Sequence, residues 1–170
     1  MCGIAGFNWE DPTLIRKIIK SIEYRGPDDK GFYTDKKISL GHARLSYLDL
    51  SKKGRMPMSD KENRFYIIFN GEIYNFKEIK EKLEKKGYKF NTETDTEVIL
   101  YSYKEYGENC LNLFRGMFAF AIYDKKENKI FLARDHFGIK PLYYYFDRER
   151  FIFGSEIKTI TETKIKKELN

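Results

Sequence analysis

The chain has 170 residues, 41% hydrophobic and 16% aromatic, which suffices for one domain with a packed core and is too apolar for a disordered chain. Its 32 basic and 26 acidic residues leave a formal charge of +6, with lysines scattered along the whole length. Scattered lysine reads as solvated surface, so nucleic acid is not the expected partner. No apolar run approaches the roughly 20 residues of a membrane span. Two distant cysteines, Cys2 and Cys110, exclude a disulfide framework or a zinc site, and the lack of a signal-peptide pattern makes the cytoplasm the expected compartment.

Residues 2–9 read as a buried strand. Asp11 followed by Pro12 predicts a helix start, and Leu14, Ile15, Ile18, Ile19 and Ile22 recur on one helical face. A turn at Arg25-Gly26-Pro27-Asp28 precedes strands over 31–34 and 38–46. Residues 49–64 are polar and irregular and predict a surface loop. The apolar run 65–69 predicts a strand buried on both faces that stops at Asn70-Gly71.

Asn75 with Glu78 resembles a capping box opening a helix with Phe76, Ile79 and Leu83 inward. Thr94 with Glu97 forms a second, before an apolar helix over 98–106. In 117–123, Phe118, Phe120 and Ile122 alternate with Ala119 and Ala121, the pattern of a strand between two layers. Two hairpins follow, turning near 125–128 and 147–150. A short helix over 156–161 and a Lys-rich tail without a core signal end the chain. Cys110 reads as a small buried hydrophobe and Tyr143–Tyr145 as a core stripe. This mix of hairpins and helices is not a βαβ alternation; it predicts an α+β fold of antiparallel sheets covered by helices.

Cys2 carries the candidate chemistry. Removal of Met1 would give the thiol and the α-amine to one residue. A thiol of about 8.5 and an α-amine of about 7.7–8.0 allow the neutral amine to take the thiol proton near neutral pH. Taken alone, Cys2 is equally a small buried residue, Asn70-Gly71 a turn, Arg44 a surface ion-pair partner, and Asp95 an acid favoured by a helix N-terminus.

Six motifs in one order change that balance: Met1–Gly6, Arg25–Asp28, Gly41–Ser46, Asn70–Asn75, Thr94–Glu97 and Arg134–Tyr143. Together they resemble the glutaminase domain of glutamine-dependent asparagine synthetases, a class II glutamine amidotransferase, over residues 1 to about 158. The resemblance implies an N-terminal-nucleophile hydrolase fold, a four-layer αββα sandwich of two antiparallel sheets between helices, occupying 1–160 with 161–170 as a link. It implies L-glutamine as substrate and Cys2 as nucleophile after loss of Met1. Asn70 and Gly71 would form the oxyanion hole. Arg44 would hold the α-carboxylate, Asp95 with Glu72 the α-ammonium, and the backbone of Leu45 and Tyr47 would also touch substrate. His42 and His136 are expected to hydrogen-bond structurally, and Arg25 and Asp28 to brace the loop near the site.

The family's ATP-using synthetase domain, with its Ser-Gly-Gly-x-Asp-Ser pyrophosphate loop, has no counterpart here. No cofactor is therefore expected in this chain. ATP and Mg belong to the missing domain, and a separate or missing synthetase is the expected partner. A silent glutamine-binding or regulatory module, and the glutaminase subunit of another amidotransferase, are the alternatives.

Overall fold

A computed structural model describes residues 1–46 and 51–165. The strands are β1 (Gly3–Phe7), β2 (Asp29–Asp35), β3 (Ile38–Arg44), β4 (Met58–Ser59), β5 (Phe65–Ile73), β6 (Gly116–Asp124), β7 (Lys129–Arg134), β8 (Tyr143–Phe146) and β9 (Phe151–Gly154). The helices are α1 (Pro12–Ser21), α2 (Phe76–Lys85), α3 (Asp95–Tyr106) and α4 (Ile157–Thr161). One sheet has the order β2-β3-β1-β9-β8 and the other β4-β5-β6-β7, with every pairing antiparallel.

Four layers result. The apolar face of α1, with Ile15, Ile18 and Ile19 buried, packs with α4 on the five-stranded sheet. Asp11 caps α1, its Oδ1 accepting from the Leu14 amide at 2.8 Å. A Cβ on Gly41 of β3 would sit 2.4 Å from Ile19 Cγ1, so the close seating of α1 needs glycine there. On the other side, α3 packs on β5 and α2 on α3. The main core joins Ile4, Leu40 and Phe153 of one sheet to Ile67, Phe69 and Phe120 of the other. The alternating residues of β6 are buried on both sides, as expected for a strand between layers.

Several local expectations need correction. The described part of 49–64 is not a solvated loop: Gly54, Met56, Met58 and Asp60 are buried, and β4 pairs with β5. Spaced apolar residues among charged ones hid this. Strand β5 does not stop at Asn70-Gly71 but continues to Ile73, because Asn70, Gly71 and Glu72 stay paired opposite Ala119, Phe118 and Met117.

Asn75 does not cap α2 with its side chain. Its amide instead bridges Leu113 O (2.9 Å) and the Arg115 amide (2.9 Å). Thr94 does cap α3, accepting from the Glu97 amide at 3.3 Å, but Glu97 turns to the amides of Asn91 and Thr92 instead of completing the box. Tyr143 and Tyr144 are exposed on the edge strand β8, so the tyrosine run is not a core stripe. Cys110 is buried, as expected. In the segment read as a coreless tail, Thr163 is buried and Ile165 packs against the α1 cluster.

Candidate active site

Strand pairing builds the site. Gly3 of β1 lies opposite Ala43 of β3, which brings Cys2 beside Arg44 and Leu45 at the strand ends. The Cys2 thiol sits against the Leu45 backbone, with Sγ 3.6 Å from Leu45 O and 3.4 Å from Leu45 N. Burial pushes the thiol above its ordinary value, against the Leu45 amide and the nearby positive charges of the N-terminus, Arg44 and Lys140, which pull it down. At rest the group is therefore a thiol that needs a base, not a stable thiolate.

A cleft of about 70 Å³ opens in front of it, lined in part by Cys2, Arg44, Leu45, Gly71, Glu72 and Asp95. Asn70 is buried beside Gly71, and its Nδ2 has no hydrogen-bond partner among the described residues. An unpaired buried amide N–H is costly unless something else accepts from it. Gly71 carries a second constraint: a Cβ there would lie 2.2 Å from Met117 O. Only glycine lets β5 run this close to β6 at the cleft.

Arg44 is buried, and its Nη1 donates to Ser51 O at 2.9 Å. Asp95, the first residue of α3, is also buried, and its Oδ2 accepts from the Ile73 amide at 3.0 Å. Burial raises the Asp95 carboxyl to about 6, with neighbouring Glu72 pushing the same way and backbone amides opposing. The cleft thus holds a cationic guanidinium and a carboxylate pair, the two charges needed to grip an α-amino acid at both ends.

Tyr47 lies outside the described residues. The sequence reading missed Gly54, Met56, Thr94 and Thr96, which also line the cleft. The signal for the last two was present, since they flank Asp95 in a motif already singled out. Arg25 and Asp28 brace the rim: Arg25 Nε donates to Cys2 O (3.1 Å) and Nη1 to Glu156 Oε1 (3.1 Å), while Asp28 Oδ2 accepts from the Ser46 amide (2.7 Å). His42 is fully buried, with Nε2 3.1 Å from Phe69 O. His136 is exposed and its ring has no hydrogen bond among the described residues, because its loop is held by Asp135 instead. Among the described residues no His, Cys, Asp or Glu cluster could hold a metal ion, and no helix is long and apolar enough to cross a membrane.

A family model described as a glutamine amidotransferase domain matches residues 1–170. The chain belongs to that family. It is 43% identical over 168 residues to asparagine synthetase [glutamine-hydrolyzing] 1 of Bacillus subtilis, covering 94% of this chain and 26% of that protein. It is 44% identical over 186 residues to putative asparagine synthetase [glutamine-hydrolyzing] 2 of Methanocaldococcus jannaschii, covering 96% and 36%. The chain thus spans about a quarter to a third of these curated relatives. Glutamine phosphoribosylpyrophosphate amidotransferase from B. subtilis shares the fold, with a TM-score of 0.81 at 23% identity over 96% of this chain and 44% of that one. The α+β sandwich expected of a glutamine amidotransferase domain is therefore the fold this chain has.

Proposed function

We propose that this chain hydrolyses L-glutamine to glutamate and ammonia through Cys2, supplying ammonia to an ATP-dependent synthetase that makes asparagine from aspartate. The observation that carries the reading is one cleft lined by Cys2, Arg44, Gly71 and Asp95; Asn70, whose buried amide has no partner among the described residues, does not itself line it but directly precedes Gly71. Arg44 takes the substrate α-carboxylate, and Asp95 with Glu72 takes the α-ammonium. Leu45 and Tyr47 add backbone contacts. The amidotransferase domain comprises 1–160, with 161–170 leading towards the synthetase, and Met1 is removed before catalysis.

Loss of Met1 supplies the base that the protonated thiol lacks. The Cys2 amine accepts the thiol proton as sulfur attacks the side-chain carbonyl, forming the C–S bond and an oxyanion. The Asn70 Nδ2–H and the Gly71 amide donate to that oxygen. Collapse breaks the C–N bond, and the Cys2 ammonium gives its proton to the departing ammonia. The amine then deprotonates water, which cleaves the γ-glutamyl thioester to glutamate and restores the thiol. None of these steps uses a cofactor. ATP and Mg would act on the synthetase, and the compartment proposed is the cytoplasm.

Intact mass before and after 6-diazo-5-oxo-norleucine, a glutamine-shaped alkylating agent, tests this. The expected result is loss of Met1 and one adduct on Cys2, absent in Cys2→Ala together with glutaminase activity. A retained Met1 with no adduct would instead make the chain a silent glutamine-binding module.

A further inference from the structure

Lys140 is buried, with only 6% of its surface exposed, yet no carboxylate lies within ion-pair distance of it among the described residues. Its ammonium bonds instead to the Met1 thioether, with Nζ 3.4 Å from Sδ. A thioether is a weak acceptor, and burying a cation without a carboxylate partner is costly.

The backbone holds Lys140 firmly in this place. Asp135 accepts from the amides of Phe118 (3.1 Å), Phe137 (3.1 Å), Ile139 (2.9 Å) and Lys140 (3.0 Å). Although burial pushes the Asp135 carboxyl up, these amides hold it below its usual range. From the other side, Arg134 Nε donates to Lys140 O at 2.8 Å. The loop of the last sequence motif is thus clamped so that a cation meets the first residue of the chain.

Lys140 does not line the glutamine cleft. Its ammonium touches the side chain of Met1, the residue bonded to the Cys2 nitrogen, and its charge also acts on the Cys2 thiol. We propose that Lys140 is a positioning residue that keeps the Cys2 amine neutral, so that it is a ready base at the pH of the cell. A fixed positive charge beside an amine disfavours its ammonium form, and the effect is strongest away from water. The same charge helps the thiol lose its proton. This rests on the proposed Cys2 chemistry.

Other charged groups around Cys2 are Arg44 from β3, Arg25 beside Cys2 O with its partner Glu156 ahead of α4, and Glu72 and Asp95, which line the same cleft. Arg25 is paired with Glu156, and Arg44 lines the same cleft as the two carboxylates. Lys140 is the cation of this set that touches Met1, and it has no carboxylate within ion-pair distance among the described residues.

The test begins with wild-type protein processed to Cys2 and labelled with 15N-cysteine, whose amine is titrated by NMR. The expected midpoint is below the about 7.7–8.0 of an ordinary α-amine. In Lys140→Met the midpoint should rise, and the acid limb of the pH profile of kcat/KM should move up with it, costing about tenfold in rate on that limb. Lys140→Arg should restore both. A wild-type amine at or above the ordinary range overturns the proposal even if Lys140→Met fails to fold. So does a Lys140→Met profile that is lower at every pH but unmoved along the pH axis. Absence of glutaminase activity and of any Cys2 adduct in the wild type would be the separate failure of the Cys2 chemistry itself.

Discussion

His42 ties the two sheets together at the site: its Nε2 lies 3.1 Å from the carbonyl oxygen of Phe69, the residue before Asn70. His42 sits two residues before Arg44 on β3, so one contact links the strand of the arginine to the strand of Asn70 and Gly71. Burial depresses the imidazole to about 4, against the pull of Phe69 O, so the ring is neutral and donates Nε2–H.

That depression predicts acid sensitivity. Below an unfolded value of about 6.5 the unfolded chain binds the proton more readily, so stability present above that pH is lost as pH falls towards 4. The loss should reach about 1.5 kcal/mol between about pH 6.5 and pH 5. Asp95 acts oppositely, since its raised carboxyl gains a proton on folding as pH falls through about 6. Urea melts in an Asp95→Asn background isolate the histidine. There, His42→Gln, which keeps a donor for Phe69 O, should flatten the pH slope. Equal slopes with and without the histidine would refute the assignment.

Asp95 also predicts how substrate affinity depends on pH. An α-ammonium needs the carboxylate ionised, and at about 6 the group is half protonated in the free protein. KM for glutamine should therefore climb as pH falls through 6, approaching about tenfold per pH unit on the acid side. Asp95→Asn should raise KM at neutral pH and abolish this slope. A wild-type KM flat down to about pH 5 would mean that Asp95 does not hold the ammonium.

Removing the unpaired donor separates transition-state from ground-state contacts. Asn70→Ala should lower kcat by about 10²–10³, or about 2.7–4 kcal/mol, with KM little changed. Its melting temperature should fall little, because the deleted Nδ2 has no partner among the described residues. A comparable loss in KM alone would move Asn70 from the oxyanion to substrate binding.

Much of this was legible in the sequence for particular physical reasons. The apolar face of α1 and the Phe/Ala alternation of β6 announce burial by periodicity, and both hold. Cys2, Arg44, Leu45, Gly71, Glu72 and Asp95 meet because strand ends and a helix start converge, and the motif order already grouped them. What was hidden depends on long-range packing. Asn75 looks like a cap, but Leu113 and Arg115, distant in sequence, claim its amide. The segment around Met56 reads as polar, yet Met56 and Gly54 line the cleft. The exposure of Tyr143 and Tyr144 follows from β8 being an edge, which no local pattern declares.

Arg25 offers a last test of how the nucleophile is held. Its side chain is about nine-tenths buried and joins Cys2 O to Glu156, itself touched by Tyr24 OH and by Lys158 Nζ at 3.4 Å. The fork geometry matters here, since Nε serves the backbone of Cys2 while Nη1 serves the carboxylate. Lysine would keep the charge but cannot make both bonds from two fixed positions. Arg25→Lys should therefore loosen Cys2 and cut kcat about tenfold or more, while KM, which the proposed function assigns to Arg44 and Asp95, stays within about twofold. Glu156→Gln should cost less, because an amide oxygen still accepts from Arg25. If Arg25→Lys instead raises KM with kcat intact, Arg25 acts on glutamine directly and not through the backbone of Cys2.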